Sequence, residues 1–382
     1  MPATLHRLPA ALLAGGLALG GQATAAETLV ERLETDHHEL RLERITTGLE
    51  HPWSLAFLPD GDLLVSERPG RLARIDEAGE ITRLDGVPEV STRGQGGLLD
   101  LALHPDFGSG EDDWLYFTWS QPGSGGSATT LSRGRLEGDA LVDQETLFVQ
   151  DRFSDPGRHY GSRLAWLPDG SLLMSIGDRG REPPRAQDGG DHAGSVLRLT
   201  ESGGVPEDNP FVTDDAVLDE IYTMGNRNPQ GLTVAADGTI WSTEHGPRTG
   251  DELNRLVAGK NYGWPVVSRG NDYATNQPIG RASAPGMRDP VHVFAGRFAP
   301  SGLAEVSGDT FPAWQGHLLA GGLASERLVR LALDGDDVVE REVILEGEIG
   351  RIRDVRQGRD GALYLLEDSA HGALYRLTPV AP

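Results

Sequence analysis

LAWLPDGSLLMSIGD, residues 164–178, is the stretch that decides the fold. Apolar residues alternate on either side of Asp169-Gly170, which is the period of a β-strand, and Asp-Gly is a strong hairpin signal because glycine accepts a positive φ. The phrase returns as LAFLPDGDLLVSE (55–67), LTVAADGTIWSTEH (232–245) and VRQGRDGALYLLED (355–368). It recurs with a longer loop in LALHPDFGSGEDDWLYFTWS (101–120). HLLAGGLASERLVRLALDGDDVVEREVIL (317–345) adds a strand pair closed by its own Asp-Gly. These six units recur about every 58 residues, a spacing suited to four-stranded blades joined by long loops, and radial repetition leaves few sheet edges exposed. No window keeps a 3.6-residue apolar period without Gly or Pro interrupting it. The pattern predicts an all-β chain, a six-bladed β-propeller with four-stranded antiparallel blades. The strand near 39–47 is expected to pair with the C-terminal strand near 373–378 and close the ring. A β-sandwich array is the competing arrangement.

Composition narrows the function. The chain has 382 residues with 51 glycines, 24 prolines and no cysteine, and 34 basic against 58 acidic side chains give a net charge of −24. Such a surface repels nucleic acid and anionic membranes. Without cysteine there are no disulfides, zinc-thiolate sites, iron–sulfur clusters or cysteine nucleophiles. Lys260 is the only lysine, so nearly all the positive charge is arginine. Residues 1–26 read as a signal peptide: His6 and Arg7 precede an apolar run from Leu8 to Leu19, and Ala23-Thr24-Ala25 offers a cleavage site. That run is shorter than the roughly 20 residues of a membrane span. The expected mature protein is a single propeller domain over 27–382, periplasmic or secreted, with no membrane insertion after signal removal.

Several loops carry more than turn chemistry. Gln95 sits between glycines in RGQGGLLDLALHPDF (93–107), its amide either facing a cleft or simply solvated. His159, in GRHYGSRL (157–164), lies just upstream of a strand where propeller loops converge on the central channel, and could accept a proton near neutral pH. Arg227 and Asn228, in MGNRNPQGL (224–232), are held in a rigid turn; the guanidinium suits a carboxylate or a developing oxyanion, or else staples the loop to a neighbouring blade. In STEHGPRTGDELNRLVAGKNYGWP (242–265), Gly246-Pro247 presents successive carbonyls beside Asp251 and Glu252, hard oxygen ligation suited to calcium. Glu244 and His245 lack zinc-site spacing. Arg351 and Arg353, two residues apart on one strand face, invite a polycarboxylate or form a solvated edge.

Taken in order, HPWSLAFLPDGDLLVSER, GQGGLLDLALHPDF, HYGSRL, VPEDNPF, GNRNPQGL, EHGPRTGDELN, GKNYGWP and RIRDV resemble the soluble quinoprotein sugar dehydrogenases of the glucose/sorbosone dehydrogenase family. The likeness runs from about residue 45 to the end, and HYGSRL is closer to the aldose sugar dehydrogenase branch. The resemblance implies a propeller that binds pyrroloquinoline quinone (PQQ) and calcium and oxidises aldoses at C1 to aldonolactones. His159 would be the general base, and Arg227, with Asn228 beside it, would stabilise charge on the cofactor. Gln95 would contact cofactor and substrate, and Arg351 and Arg353 would pair with cofactor carboxylates. Gly246 and Pro247 would give main-chain oxygens to calcium, with Asp251 and Tyr262 supporting that site or a second structural calcium. Electrons would pass to a small acceptor, a quinone or cytochrome, rather than to nicotinamide, since no GxGxxG opens a helix. The protein would act as a monomer or homodimer. Two family lysines are replaced, by Ala324 and Ser195, with Arg327 one turn from the first. Two other readings stay open. A calcium-dependent lactonase-type hydrolase would need acidic ligands from several blades, and a non-catalytic sugar-binding propeller would need no general base.

Overall fold

The Asp-Gly phrase folds the same way in four of its units, at Gly61, Gly170, Gly238 and Gly361, while Asp334-Gly335 closes a tighter hairpin with Asp334 opposite Asp337. In the computed structural model, which describes residues 26–380, the Leu167 N–H donates to Ser171 O at 2.8 Å and the Gly170 N–H to Leu167 O at 3.0 Å. The same long bond, again 2.8 Å, joins Leu58 to Asp62, Ala235 to Thr239 and Gly358 to Ala362. Gly170 sits at φ +82°, in the left-handed region where a side chain is strained, so glycine is required for the reversal. The expected leader, apart from Ala26, lies outside the described residues. No described helix is long and apolar enough to cross a membrane.

Six antiparallel sheets surround a channel. Blade one runs from Pro52–Phe57 to Ile81–Leu84, blade two from Leu98–Leu103 to Ala140–Val149, and blade three from Leu164–Trp166 to Ile221–Met224. Blade four runs from Pro229–Val234 to His292–Val293 and blade five from Pro300–Glu305 to Asp337–Glu346. Each of these has four strands, the first innermost. Blade six takes Ile352–Gln357, Leu363–Glu367 and Gly372–Pro379 from the end of the chain, then Glu39–Leu49 and Glu27–Glu34 from its beginning. Glu39–Leu49 pairs with Gly372–Pro379, Leu42 opposite Leu377, as expected for ring closure. Glu27–Glu34 makes this the one five-stranded blade among the described residues.

Alternation packs both faces of each blade. On Leu172–Ile176, Leu172, Met174 and Ile176 enter the layer towards blade two, while Leu173 enters the layer towards blade four, and all four are 0% exposed. Each such side chain contributes about 1.5–3 kcal/mol of burial. This is why both strand faces read as apolar, unlike a sheet with one wet face.

The inner strands gather their N-terminal ends at one mouth of the channel and their C-terminal ends at the other. Phe57, Leu103, Trp166, Val234, Glu305 and Gln357, the last residues of the six inner strands, line a cavity of about 550 Å³ at the second mouth. Midway, the channel is closed by charge. Arg163 Nη1 donates to Asp100 Oδ1 at 3.0 Å and to Asp354 Oδ1 at 2.9 Å, and Arg356 bridges the same two carboxylates at 2.9 Å each. The Ser54 hydroxyl donates to Asp100 at 2.6 Å, and Arg163 Nε donates to Gln230 O at 2.8 Å. Five blades therefore meet in this lattice. Above it, the Arg163 guanidinium lies 4.3 Å from the ring centre of buried Trp53.

Candidate active site

His159 precedes the inner strand of blade three, Leu164–Trp166, and sits at φ +53°, a conformation a non-glycine residue keeps only when its surroundings impose it. Its N–H donates to Gln95 Oε1 at 2.7 Å. Beneath it, a Cβ on Gly177 would lie 2.2 Å from His159 O, so only glycine allows the approach. The imidazole is 12% exposed, and its Nδ1 lies 2.6 Å from Oδ1 of buried Asp178. Asp178 also receives the Gly180 N–H on Oδ1 and the Trp264 indole N–H on Oδ2, both at 2.7 Å.

Electrostatics assign the protons. Burial works to raise the Asp178 pKa, but His159, Arg227 and the Gly180 N–H outweigh it and hold the carboxyl below its ordinary value. An ionised Asp178 makes His159 Nδ1 the protonated nitrogen and leaves Nε2 as a free acceptor. Burial lowers the His159 pKa below 6.5; Arg227 and Arg158 add to this and Asp178 opposes it. The imidazole is therefore neutral at pH 7 and ready to take a proton.

Blade four contributes the next groups. Arg227 is buried; its guanidinium donates to Gly246 O at 2.7 Å and His245 O at 3.1 Å and lies 5.3 Å from the Trp264 ring centre. Its carbonyl accepts the Asp178 N–H at 2.8 Å, tying blade four to blade three. Asn228 Oδ1 accepts the Gly161 N–H at 3.1 Å, while its buried Nδ2 has no partner. His245 has an unpartnered buried Nε2, and burial, then Arg227, His159 and Arg353, push its pKa well down.

Arg351 and Arg353 both reach Asp368, at 3.4 and 2.5 Å. Arg353 is also committed to Gln230 at 3.0 Å and Ser301 at 3.3 Å, leaving its buried Nε unpartnered. Arg351, with a side chain 45% exposed, donates to Leu323 O beside Ala324. Arg327, one turn on, pairs with Glu346 at the surface, so the charge next to Ala324 comes from Arg351. Ser195 is buried, its hydroxyl on His192 O.

The expected calcium loop is rearranged in detail. Asp251 accepts main-chain donors on both oxygens, Gly246 N–H at 2.9 Å on one and Phe298 and Ala299 N–H at 2.9 and 2.8 Å on the other, so it braces the loop. The Tyr262 hydroxyl is taken by Arg255 O and Val257 N–H, which leaves only its main-chain oxygen. Gly246 O accepts Arg227, and Pro247 O accepts the Tyr273 hydroxyl at 2.6 Å. The carboxylates that face one another are Glu244 and Glu252, directly opposite across the hairpin. They border a small cavity of about 10 Å³ with Tyr262 and Trp264, room for about one water or ion. Burial pushes Glu244 up to about 7 against three donors. Burial and then the Glu244 charge push Glu252 up to about 8. A buried and a part-buried carboxylate that resist ionising together fit a hard divalent cation. The unpartnered N–H groups of Asn228, Arg353 and Arg68 fit a ligand rich in carboxylates and carbonyls, as PQQ is.

Asp178 and Trp264 were not singled out from the sequence; Glu252 was, as a carboxylate suited to calcium, but not its pairing with Glu244. The register that sets Glu244 opposite Glu252 is centred on Arg248, beyond the Gly-Pro pair, so the sequence alone does not give it. Asp178 closes a hairpin phrase, and only the fold sets it under His159.

The fold and this funnel define a six-bladed propeller whose chemistry centres on a neutral histidine among arginines. The chain matches the glucose/sorbosone dehydrogenase family model over residues 49–376 and belongs to that family. It is 39% identical over 350 residues to aldose sugar dehydrogenase YliI of Escherichia coli strain K12, covering 89% of this chain and 93% of that protein. The apo-form structure of the soluble E. coli aldose sugar dehydrogenase superposes with a TM-score of 0.85 at 37% identity, covering 89% of this chain and 100% of that one. The PQQ-bound aldose sugar dehydrogenase of Streptomyces coelicolor superposes with a TM-score of 0.73 at 30% identity, over 88% and 98% of the two chains.

Proposed function

We propose that this protein is a PQQ- and calcium-dependent aldose sugar dehydrogenase that oxidises the anomeric carbon of a sugar to an aldonolactone. The observation that carries the reading is the neutral His159, hydrogen-bonded to ionised Asp178 with Nε2 free. His159 Nε2 takes the proton of the C1 hydroxyl, and the resulting imidazolium is stabilised by Asp178. Losing that proton pushes the C1 hydrogen out as hydride with its electron pair, leaving the lactone carbonyl. PQQ, when bound, supplies the two-electron acceptor, and calcium supplies Lewis-acid charge. Arg227, Asn228, Arg351 and Arg353 would hold the cofactor, Glu244 and Glu252 a cation, and Gln95 keeps His159 in place while its NH₂ group remains free to bind.

The lactonase-type reading is less favoured because the central carboxylates from different blades, Asp100 and Asp354, are neutralised by Arg163 and Arg356. A pure sugar-binding module has no use for the His159–Asp178 pair. We place the enzyme in the periplasm or outside the cell, passing electrons to a small quinone or cytochrome. The test is reconstitution with PQQ and calcium followed by dye reduction with a panel of aldoses. His159→Ala should lower kcat by about 10²–10⁴-fold. A protein whose spectrum ignores PQQ, or a variant of undiminished activity, refutes the reading.

A further inference from the structure

We infer that Trp264 is a positioning residue for the His159 base, acting through both Asp178 and Arg227. The inference rests on the function proposed above and names a residue that function did not require.

Trp264 belongs to the long loop between Glu252–Leu256 and His292–Val293 of blade four, yet its indole reaches blade three. The Nε1–H donates to Asp178 Oδ2 at 2.7 Å in a buried setting. The other oxygen, Oδ1, is the one that faces His159 Nδ1 at 2.6 Å. A carboxylate with both oxygens engaged cannot rotate about its Cβ–Cγ bond without breaking two charge-assisted hydrogen bonds, so the indole sets the direction in which Asp178 holds the imidazole. The face of the same ring packs against the Arg227 guanidinium, 5.3 Å from the ring centre, a cation–π contact. One side chain thus links the group that orients the base to the arginine beside it.

Trp264 is itself held from three directions. Its N–H donates to Gly225 O at 2.8 Å, and its carbonyl accepts Gln187 Nε2 at 2.7 Å. Gln187 is paired in turn with Asn261, at 3.0 and 2.8 Å in the two directions. The loop is therefore clamped to blade three on one side and to the Gly225–Asn228 turn on the other. Such bracing exceeds what an aromatic residue needs simply to fill space.

The charged and titratable groups facing His159 are Asp178, Arg227, Arg158 and His245. Only Asp178 attracts a proton to the ring, and its strength as an acceptor depends on how far the Trp264 N–H already satisfies it. Deleting that N–H leaves Oδ2 unpaired, strengthens the Asp178–imidazolium interaction and raises the His159 pKa.

The test uses apo-protein, so that it stands apart from whether sugar oxidation is the right activity. Histidine labelled with ¹⁵N is titrated by NMR in the wild-type protein and in Trp264→Phe, with His159→Gln assigning the resonance. The expected result is an upward shift of about one pH unit in the His159 midpoint. The acid limb of kcat in the reconstituted enzyme should move by the same amount, with KM little changed. An identical His159 midpoint in both proteins overturns the inference. Should Trp264→Phe fold poorly, the wild-type protein still decides: the Trp264 indole ¹⁵N–¹H resonance must titrate with the His159 midpoint and stop doing so in His159→Gln. An indole signal that ignores His159 overturns the inference. Failure of sugar oxidation with both NMR results intact refutes the proposed function and leaves the coupling standing.

Discussion

Glu252→Gln should make the metal-free protein more stable at pH 8.5, although it removes a native charge. Glu252 and Glu244 stand opposite each other on adjacent strands, and both pKa values are raised, to about 8 and about 7. Raised carboxyl pKa values mean that the folded state binds more protons than the unfolded state between about pH 4.5 and 8. Stability is therefore full below that window and declines as pH climbs through it. For Glu252, a rise from 4.5 to about 8 corresponds to a ceiling of about 5 kcal/mol. Part of that ceiling is the cost of burying a polar group, which glutamine shares, so neutralising the residue should return about 2–3 kcal/mol. With an unfolding entropy of about 2.1 cal/mol/K per residue over residues 26–380, Tm should rise by about 3–4 °C. Calorimetry on chelator-treated protein at pH 5 and pH 8.5, with and without millimolar calcium, gives the comparison. Calcium should stabilise wild type at pH 8.5 by about 2.7 kcal/mol at a hundredfold excess over Kd, read as a higher Tm, and Glu252→Gln should gain little. A variant less stable than wild type at pH 8.5 without calcium, or one stabilised by calcium as much as wild type, would refute the assignment of this pair as a cation site.

The remaining expectations concern the channel and the base. Arg163→Ala removes one of the two cations shared by Asp100 and Asp354 and should cost about 3–5 kcal/mol in urea unfolding, with a loss below about 1 kcal/mol counting against the lattice as a structural keystone. Gly177→Ala drives a methyl group into His159 O and Asn228 Oδ1, at 2.2 and 2.9 Å. It should lower kcat by about 100-fold and also lower Tm, because the methyl meets main chain that has to shift, and an unaffected kcat would contradict the close packing. With His159 held below 6.5 by burial, kcat/KM should rise with pH to a plateau reached by about neutrality. A limb centred above pH 7 would point to another base.

The blade pattern was open to reading because it is local: strand, Asp-Gly turn and strand fit within 15 residues, and the turn bonds at 167–171 and its equivalents depend on nothing distant. Ring closure was legible for a similar reason, since a leftover apolar strand at each end needs a partner. The site divides differently. His159, Arg227 and Asn228 stand out because they sit among glycines and prolines in loops that a plain turn does not explain. Asp178 and Trp264 are 86 residues apart and acquire meaning only when blades three and four are placed side by side. Asp251 is ambiguous in the sequence because a carboxylate in a glycine-rich loop looks the same whether it faces a cation or three main-chain N–H groups. The distinction is geometric, made by the chain returning at Phe298 and Ala299.

The ion lattice that shuts the channel at mid-depth turns the funnel into a cul-de-sac. Whatever goes in must come out by the same door, because Arg163, Asp100 and Asp354, each 0–2% exposed, leave no rear exit. In the proposed reaction, a sugar seated against His159 would bar a second visitor, so an electron acceptor would have to wait until the lactone had gone. Turnover should therefore alternate between two callers at one threshold, and crowding with sugar should slow the cycle rather than speed it.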